Sequence, residues 1–394
     1  MKRPDLSVIV VHHRGQEHLI EALDALAAAS GGPSLETILV DNTAGHPIEE
    51  VLRRHPTIRR VAAGRNSGFA AGCRLGAEAA RAPLLALVND DAAVEPQALG
   101  FLATSLSEAP EDVVAVAGRL ADVSGEKNDF SDGFLTFDGH AFQKDVGRPL
   151  GALPASAPGE ERLFACGGLM AVRRREFLES GFDDDYFAYL EDVDFGWRQW
   201  IFGKRILAEP RAVARHRGGA TGEALGVFSR GFLFEKNAFS TAYKNFDAAH
   251  FRAFMPAVLA AFVGRISAML DARNPSAEEL KRDPYLEPTR DSAGWRRLFG
   301  IGANGAGRVA IEDPLTIAHL KALLWIHRHH ESLAAKRRAV QAGRRRSDSE
   351  IFAKFPLRLV PTYPGDDRFD SEFFRAFLPE SPPLLRTTLA EIFS

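Results

Sequence analysis

Asn89–Asp90–Asp91 directly follows the apolar run 83–88, PLLALV. Carboxylates at the end of a buried strand, beside backbone amides, suit a hard divalent cation that bridges to phosphates. An acidic turn that complements the dipole of the following helix accounts for the same residues equally well. Glu191–Asp192–Val193–Asp194 is a second cluster, at the start of a helical pattern. Three carboxylates in one turn repel each other, and in a pocket that repulsion raises the pKa of at least one, which suits a general base. Glu191 and Asp194 share a face at i,i+3, while Asp192 points elsewhere. The plainer alternative is again an acidic first turn, weakened by Phe187, Tyr189, Phe195 and Trp197, which read as a pocket wall. His216 follows a strand beside Gly218 and Gly219. A lone histidine is more often structural, but this setting suits a loop near a site. Arg65–Asn66–Ser67–Gly68, with Gly72 behind it, makes a Gly-rich strand-to-helix turn whose backbone N–H groups can face an anion. The turn has neither the GK[ST] ending of a P-loop nor a GxGxxG pattern, which argues against an ATPase or a nicotinamide enzyme.

These residues need a scaffold, and the hydrophobic pattern supplies one. Residues 6–11, 36–41, 58–63, 83–90 and 112–120 are β-branched runs. Amphipathic stretches separate them, the first carrying Leu19, Leu23 and Leu26 on one face. That rhythm predicts βαβ units and a mostly parallel sheet with helices on both faces. Ligands of such sheets bind at the carboxyl ends of strands, where Asp41–Asn42 and Asn89–Asp90–Asp91 fall. Residues 122–162 break the rhythm and read as long loops and short strands over that edge. Helices are expected at 174–180 and about 190–202, with strands near 205–208 and 212–215. Residues 228–272 and 313–346 read as helical, separated by Pro284, Pro288 and GIGANGAG, and 347–394 shows no clear period.

Composition narrows the classes. The chain has 394 residues, 45% hydrophobic and 26% charged, which excludes collagen-like, low-complexity and disulfide-scaffold proteins. Its length predicts two to three domains, or one large domain with appendages. With 49 Lys and Arg against 52 Asp and Glu, the net charge is −3, so no basic excess points to nucleic acid. Two cysteines, Cys73 and Cys166, fit a reducing cytoplasm. The most apolar stretch, 251–270, has its charge-free core between Arg252 and Arg265 and is expected not to span a membrane. The run KRRAVQAGRRR, 336–346, has six basic residues and no acidic one. With Leu320, Leu323, Leu324 and Trp325 upstream, 320–346 reads either as a peripheral contact with an anionic membrane face or as a solvated basic helix face.

Taken in order, LSVIVVHHRG, ILVDN, GRNSGFAAGCRLG, LALVNDDA, the segment CGGLMAVRRREFLESGFDDDYFAYLEDVDFGWRQWIFGKRILAEPRAVARHRGG and RGFLFEKNAFSTAYKNF resemble the family 2 glycosyltransferases with the GT-A fold, particularly bacterial rhamnosyl- and galactofuranosyltransferase-like members. The resemblance spans roughly residues 6–246. It implies a Rossmann-like catalytic domain, 1–225, and a mostly helical C-terminal extension, 226–394. His12, His13, Arg14 and Asp41 would hold the nucleotide base and ribose, and Arg65, Asn66 and Gly68 would line the donor pocket. Asp91 would be the main metal ligand, for Mg2+ or Mn2+, with Asn89 and Asp90 near the diphosphate and His216 as a further ligand. Asp192 would be the general base, supported by Glu191, with Gly167 and Gly168 near both substrates. The implied activity is an inverting, metal-dependent transfer of sugar from a nucleotide-diphosphate sugar to a glycan or lipid-linked acceptor, in cell-surface polysaccharide or glycolipid synthesis. A cytoplasmic enzyme is implied; a peripheral contact with the inner membrane face and a homo-oligomer are both left open. Two other readings share the strand-end carboxylates: a nucleotidyltransferase acting on sugar phosphates, and a non-catalytic nucleotide-sugar-binding module. The first needs a Gly-rich basic signature soon after the first strand, which is missing. The second has no need for Asp91, Asp192 and His216 together.

Overall fold

The structure is a computed structural model that describes residues 3–30, 32–43, 45, 48–218, 220–274, 311–379 and 384–393, without the side chains of 220–224. Pro284, Pro288 and GIGANGAG lie outside the described residues. The central sheet has nine strands. Its first half comprises β1 (Leu6–His12), β2 (Leu35–Asp41), β3 (Arg59–Ala62) and β4 (Leu84–Asn89), all parallel, in the order β3-β2-β1-β4. All seven residues of β1 are buried, as befits a central strand covered on both faces. Alternation along it feeds two cores. Val8 and Val10 face Leu19, Leu23 and Leu26 of α1 (Gln16–Ala28) and Leu99 and Leu102 of α4 (Ala98–Glu108). Ile9 and Val11 face Ala70, Cys73 and Ala77 of α3 (Gly68–Ala79). At Gly72 the packing admits no side chain, because a Cβ there would lie 2.6 Å from Val11 Cγ1. The shorter α2 (Glu49–Arg54) lies between β2 and β3 in the chain.

Beyond β4 the sheet is mixed, where the strand rhythm predicted a mostly parallel one. The order continues β10-β6-β11-β5, with β5 (Ala92–Val94), β6 (Val113–Ala121), β10 (Leu169–Arg173) and β11 (Arg205–His216). β10 pairs antiparallel with both β4 and β6. The physical reason lies in its approach. Parallel pairing needs a crossover long enough to return to the same edge, usually a helix. Residues 122–168 instead form loops, a 3-10 turn and the short strands β7 (Asn128–Phe130), β8 (Gly133–Leu135) and β9 (Ala141–Gln143), so β10 enters from the ligand edge. The two strands expected at 205–208 and 212–215 are one strand, irregular between Ala208 and Val213.

This sheet places the site. Pairing puts Val11 beside Asn89 and His12 beside Asp41, and β10 starts against the end of β4, with Asn89 N donating to Gly168 O at 3.1 Å. His216, the last residue of β11, pairs with Ala92. One edge therefore collects Asp41, Asn89–Asp91, Gly168 and His216.

After β10, α5 (Arg174–Ser180) leads to α6 (Glu191–Ile201), whose Phe195, Trp197, Trp200 and Ile201 are buried. The C-terminal part follows with α7 (Ala220–Asn245), α8 (Ala248–Arg273), α9 (Pro314–Arg328), α10 (His330–Ala342) and α11 (Asp348–Lys354). α7 is kinked at Gly226, φ 71° and ψ 168°. By length and composition α8 could cross a bilayer, yet 44% of its most apolar window is buried in the protein. Its Arg265 is enclosed by Asp366 at 2.7 Å and Asp138 at 2.9 Å, so one face of α8 is tied into the protein by ion pairs, while Leu259 and Val263 stay exposed.

The basic run 336–346 is mostly an internal bracket. Lys336 pairs with Asp183 and Asp185, each at 2.5 Å. Arg337 donates to the carbonyls of Tyr243 and Phe246, Arg344 to Asn245 O and Asp348, and Arg346 to Gly203 O and Lys204 O. Arg338 and Arg345 stay exposed. Helix periodicity alone does not reveal this, since the acceptors are carbonyls at other helix ends.

Asp194 is fully buried between Arg198 (2.8 Å), Lys244 (3.2 Å) and the amide of Asn245 (3.0 Å). Removing one member of a buried ionic set strands the rest. Asp194→Ala is expected to destabilise the fold by about 3–5 kcal/mol, read as a lower urea midpoint. A midpoint equal to wild type would show that these cations do not need the carboxylate.

Candidate active site at the sheet edge

A cavity of about 990 Å³ opens at the ligand edge. It falls within the range of small-molecule sites. The strand ends supply Asn42, Asn89, Asp90 and Asp91 to its wall; the α3 turn supplies Asn66 and Gly68. Cys166, Gly167 and Gly168 come from the approach to β10, and Glu191 and Asp192 from the first turn of α6. Arg14 and His18 flank the end of β1, and Ser229, Arg230 and Phe234 come from α7.

Of the residues singled out in the sequence, Arg14, Asn66, Gly68, Asn89, Asp90, Asp91, Gly168, Glu191 and Asp192 line this one cavity. His12, Asp41 and Arg65 do not. His12 is 1% exposed, and its Nδ1 lies 2.7 Å from Asp90 Oδ2, so it holds Asp90 from behind. Strand alternation turns it inward, while His13 reaches the cavity and meets Asn66 at 3.2 Å. Asp41 accepts from Thr43 and Arg60 and acts as a loop clasp. Arg65 is exposed outside the cavity lining.

The α3 turn also differs from its sequence reading. Ser67 N donates to Asn42 Oδ1 at 2.8 Å, Gly68 N to Asn66 Oδ1 at 3.1 Å and Ala70 N to Phe187 O at 3.2 Å. Helix-start donors must find partners, and here protein oxygens take these three. Gly68, at φ +84°, sits where a Cβ would be 2.4 Å from Phe187 O, which lets the turn dock on the loop before α6. Asn42 organises the turn with both ends of its amide. Its only sequence signal was its place after Asp41.

His216 does not line the cavity but stands directly behind Asp91 and Asn89, which do. Nε2 lies 3.1 Å from Asp91 Oδ1 and 3.1 Å from Asn89 Nδ2; Nδ1 lies 2.6 Å from Asp129 Oδ2. Asp129, beside β7, escaped sequence reading because it sits in the irregular insert with no spacing to His216. Burial disfavours the His216 imidazolium, but the hydrogen bonds and charges of Asp129 and Asp91 outweigh it and lift its pKa to about 10. Burial likewise raises Asp91, and His216 more than offsets it, so the net shift is down. Asp90 moves the other way: burial pushes it up, beyond what His12 restores.

The three helix-start carboxylates divide. Asp194 is paired with cations and lowered despite burial. Glu191 and Asp192 have no such pairing. Asp192 Oδ2 accepts from Gly167 N at 3.0 Å and Oδ1 from Val193 N at 2.8 Å, and burial still raises its pKa. Glu191 is 6% exposed and its Oε2 has no hydrogen-bond partner. Burial, then the neighbouring Asp192, push Glu191 up to about 8. The usual value is 4.5, so the unfolded chain releases this proton while the folded chain holds it. The stability this group contributes is complete below about pH 4.5 and is lost as pH rises towards 8. Glu191→Gln is therefore expected to gain urea midpoint relative to wild type at pH 8 compared with pH 5. An identical difference at both values would remove the buried-acid reading.

Residues 7–181 match the model of glycosyl transferase family 2. No curated protein sequence matches the chain. Among solved structures, GalNAc-T7 with UDP, GalNAc and Mn2+ is similar at 15% identity and TM-score 0.49, over 65% of this chain and 50% of that one. The chain thus spans half the length of that relative. The mannosyltransferase PcManGT from Pyrobaculum calidifontis, in complex with GDP-Man and Mn2+, is similar at 16% identity and TM-score 0.45, over 82% and 87%. S. aureus TarS 1-349 in complex with UDP-GlcNAc is similar at 15% and 0.45, over 71% and 76%. The matched span holds β1 to β4, β6, β10 and the acidic strand end Asn89–Asp91. Residues 7–181, under half of the chain, thus carry the similarity to glycosyl transferase family 2.

Proposed function

We propose that the chain transfers a sugar from a nucleotide-diphosphate sugar to an acceptor hydroxyl, in one inverting displacement. The observation that carries this is one cavity with two chemically opposite carboxylate sets. Asp91 is held ionised by His216 at the sheet edge, and Glu191–Asp192 keeps a raised proton affinity at the start of α6. A base must be ionised enough to accept and basic enough to pull a proton, and Asp192 suits the second demand. Gly167 N fixes its Oδ2. Glu191, adjacent and buried, shares the pair's titration and supports it.

The strand-end residues fit a divalent cation. Asp91 Oδ1 and His216 Nε2, 3.1 Å apart, are the atoms that would hold it once His216 gives up its proton. Asp129 on the far ring nitrogen is the carboxylate support that metal-binding histidines commonly have. Mg2+ or Mn2+ would be held by Asp91 and His216, with Asn89 and Asp90 facing the diphosphate. Such an ion supplies charge neutralisation for the leaving diphosphate. Arg14, His13 and Asn66 would meet the donor nucleotide, and the acceptor, a glycan or lipid-linked glycan, would enter beside Tyr189 and α7. The division at 225/226, which falls at the Gly226 kink, is the boundary we propose between catalytic and extension parts.

Incubation with a panel of nucleotide sugars and Mg2+ or Mn2+ tests this. Release of free nucleoside diphosphate is expected with one donor. Pyrophosphate release would favour nucleotidyl transfer, and binding without turnover would favour a non-catalytic module.

A further inference from the structure

The motif RGFLFEKNAFSTAYKNF, residues 230–246, lies outside the matched family span; Arg230 and Phe234 reach the cavity, and the rest of it has no role in the chemistry above. It forms most of α7, and one stripe of that helix grips the segment that leads into Glu191. The side chain of Asn237 is fully buried. Its Nδ2 donates to Tyr186 O at 3.1 Å, Ala188 O at 2.9 Å and Tyr189 O at 2.7 Å. Lys236 Nζ, at 2.5 Å from Asn237 Oδ1, fixes which end of the amide faces the loop, and also donates to Asp185 O. Further along the stripe, Thr241 Oγ1 meets the Tyr186 hydroxyl at 2.6 Å, and Lys244 pairs with Asp183 at 2.7 Å.

The gripped loop is strained. Phe187, Tyr189 and Leu190 have φ of 65°, 69° and 64°, three of the four non-glycine residues with positive φ among the described residues. Such backbone persists only where its surroundings over-determine it. Leu190 is the residue from which α6 departs, so its left-handed conformation sets the direction of Glu191 and Asp192. The later turns of α6 are anchored separately through Trp197 and Trp200 in the core. Loss of the grip therefore falls on the first turn, where the carboxylates are, and not on the packing of the helix.

We propose that Asn237 is a positioning residue for the Glu191–Asp192 pair, holding the strained 186–190 loop from the C-terminal part through one amide nitrogen whose two hydrogens are shared among three loop carbonyls. The proposal rests on the sugar-transfer reading for its kinetic consequence, but not for its structural one. Asn237→Asp keeps the volume and removes the donors; Asn237→Ala removes the amide. In both full-length variants kcat for sugar transfer is expected to fall about 100-fold, the cost of a misplaced reacting group. Donor KM and the affinity for nucleoside diphosphate with Mn2+ are expected to stay within about threefold. Lys236→Met, which frees the amide without removing it, is expected to show the same split with a smaller fall. Amide hydrogen exchange is expected to quicken at 187–194 and to stay unchanged in β1 and β4. A kcat within threefold of wild type would overturn the proposal, as would a matched loss of kcat, donor affinity and thermal midpoint, which marks a purely structural role. Unchanged exchange at 187–194 would overturn it whatever the activity. Absence of turnover in the wild type, with exchange quickened in the variants, would instead count against the sugar-transfer reading alone.

Discussion

Asp192→Asn is expected to lower kcat for sugar transfer by about 10³-fold, within the usual range for loss of a general base, with donor KM nearly unchanged. Asparagine preserves the shape and can still accept from Gly167 N, which binds Asp192 Oδ2 at 3.0 Å. Only the capacity to take a proton is lost, so the effect belongs to kcat. Glu191→Gln leaves that capacity, and because Glu191 holds its proton up to about pH 8 it is uncharged while Asp192 ionises. Its acid limb in the pH–kcat profile is therefore expected to stay where it is in wild type. Measurement of kcat and KM between pH 5 and 9 for both variants checks the pair. Turnover of Asp192→Asn near wild type would place the base elsewhere.

Asp91→Ala is expected to abolish cation-dependent binding of nucleoside diphosphate, read by titration calorimetry with and without Mn2+. Two further variants sharpen the test. His216→Ala removes the nitrogen that lies 3.1 Å from Asp91 Oδ1. Asp129→Asn leaves both candidate ligands and removes only the carboxylate at 2.6 Å from His216 Nδ1. Support residues of this kind typically change metal affinity 10–100-fold, so Asp129→Asn is expected to weaken cation-dependent binding by about that factor. Unchanged diphosphate affinity in Asp91→Ala would remove the cation role from the strand end.

The two expected losses differ in kind because the two carboxylate sets differ in environment. Asp91 has a cation-capable partner and stays ionised under burial. Glu191 has no hydrogen bond on Oε2, and its own backbone amide and the charge of Lys236 offset burial and the neighbouring Asp192 only in part. A sequence shows the same residue type in both places. Asp194 makes the point within one helical turn: it stands two positions from Asp192, yet Arg198 and Lys244 make it a structural ion.

What the sequence determined by itself is local and periodic. β1, β2, β4 and β6, the helix with Leu19, Leu23 and Leu26 on one face, and the strand-end position of Asn89–Asp91 all follow from apolar spacing, because side chains repeat every two residues in a strand and every 3.6 in a helix. Resemblance across six ordered motifs added the roles proposed for Asp91, Asp192 and His216. What only tertiary structure decided involves partners distant in the chain. The entry of β10 against β4, the turning of His12 onto Asp90, the pairing of Asp129 with His216 and the hold of Asn237 on the 186–190 loop leave no spacing in the chain. Each depends on which buried polar atom finds which partner once the sheet and helices are packed. A buried donor or acceptor left alone is costly, so packing, not spacing, selected those pairs and with them the direction in which the site's carboxylates point.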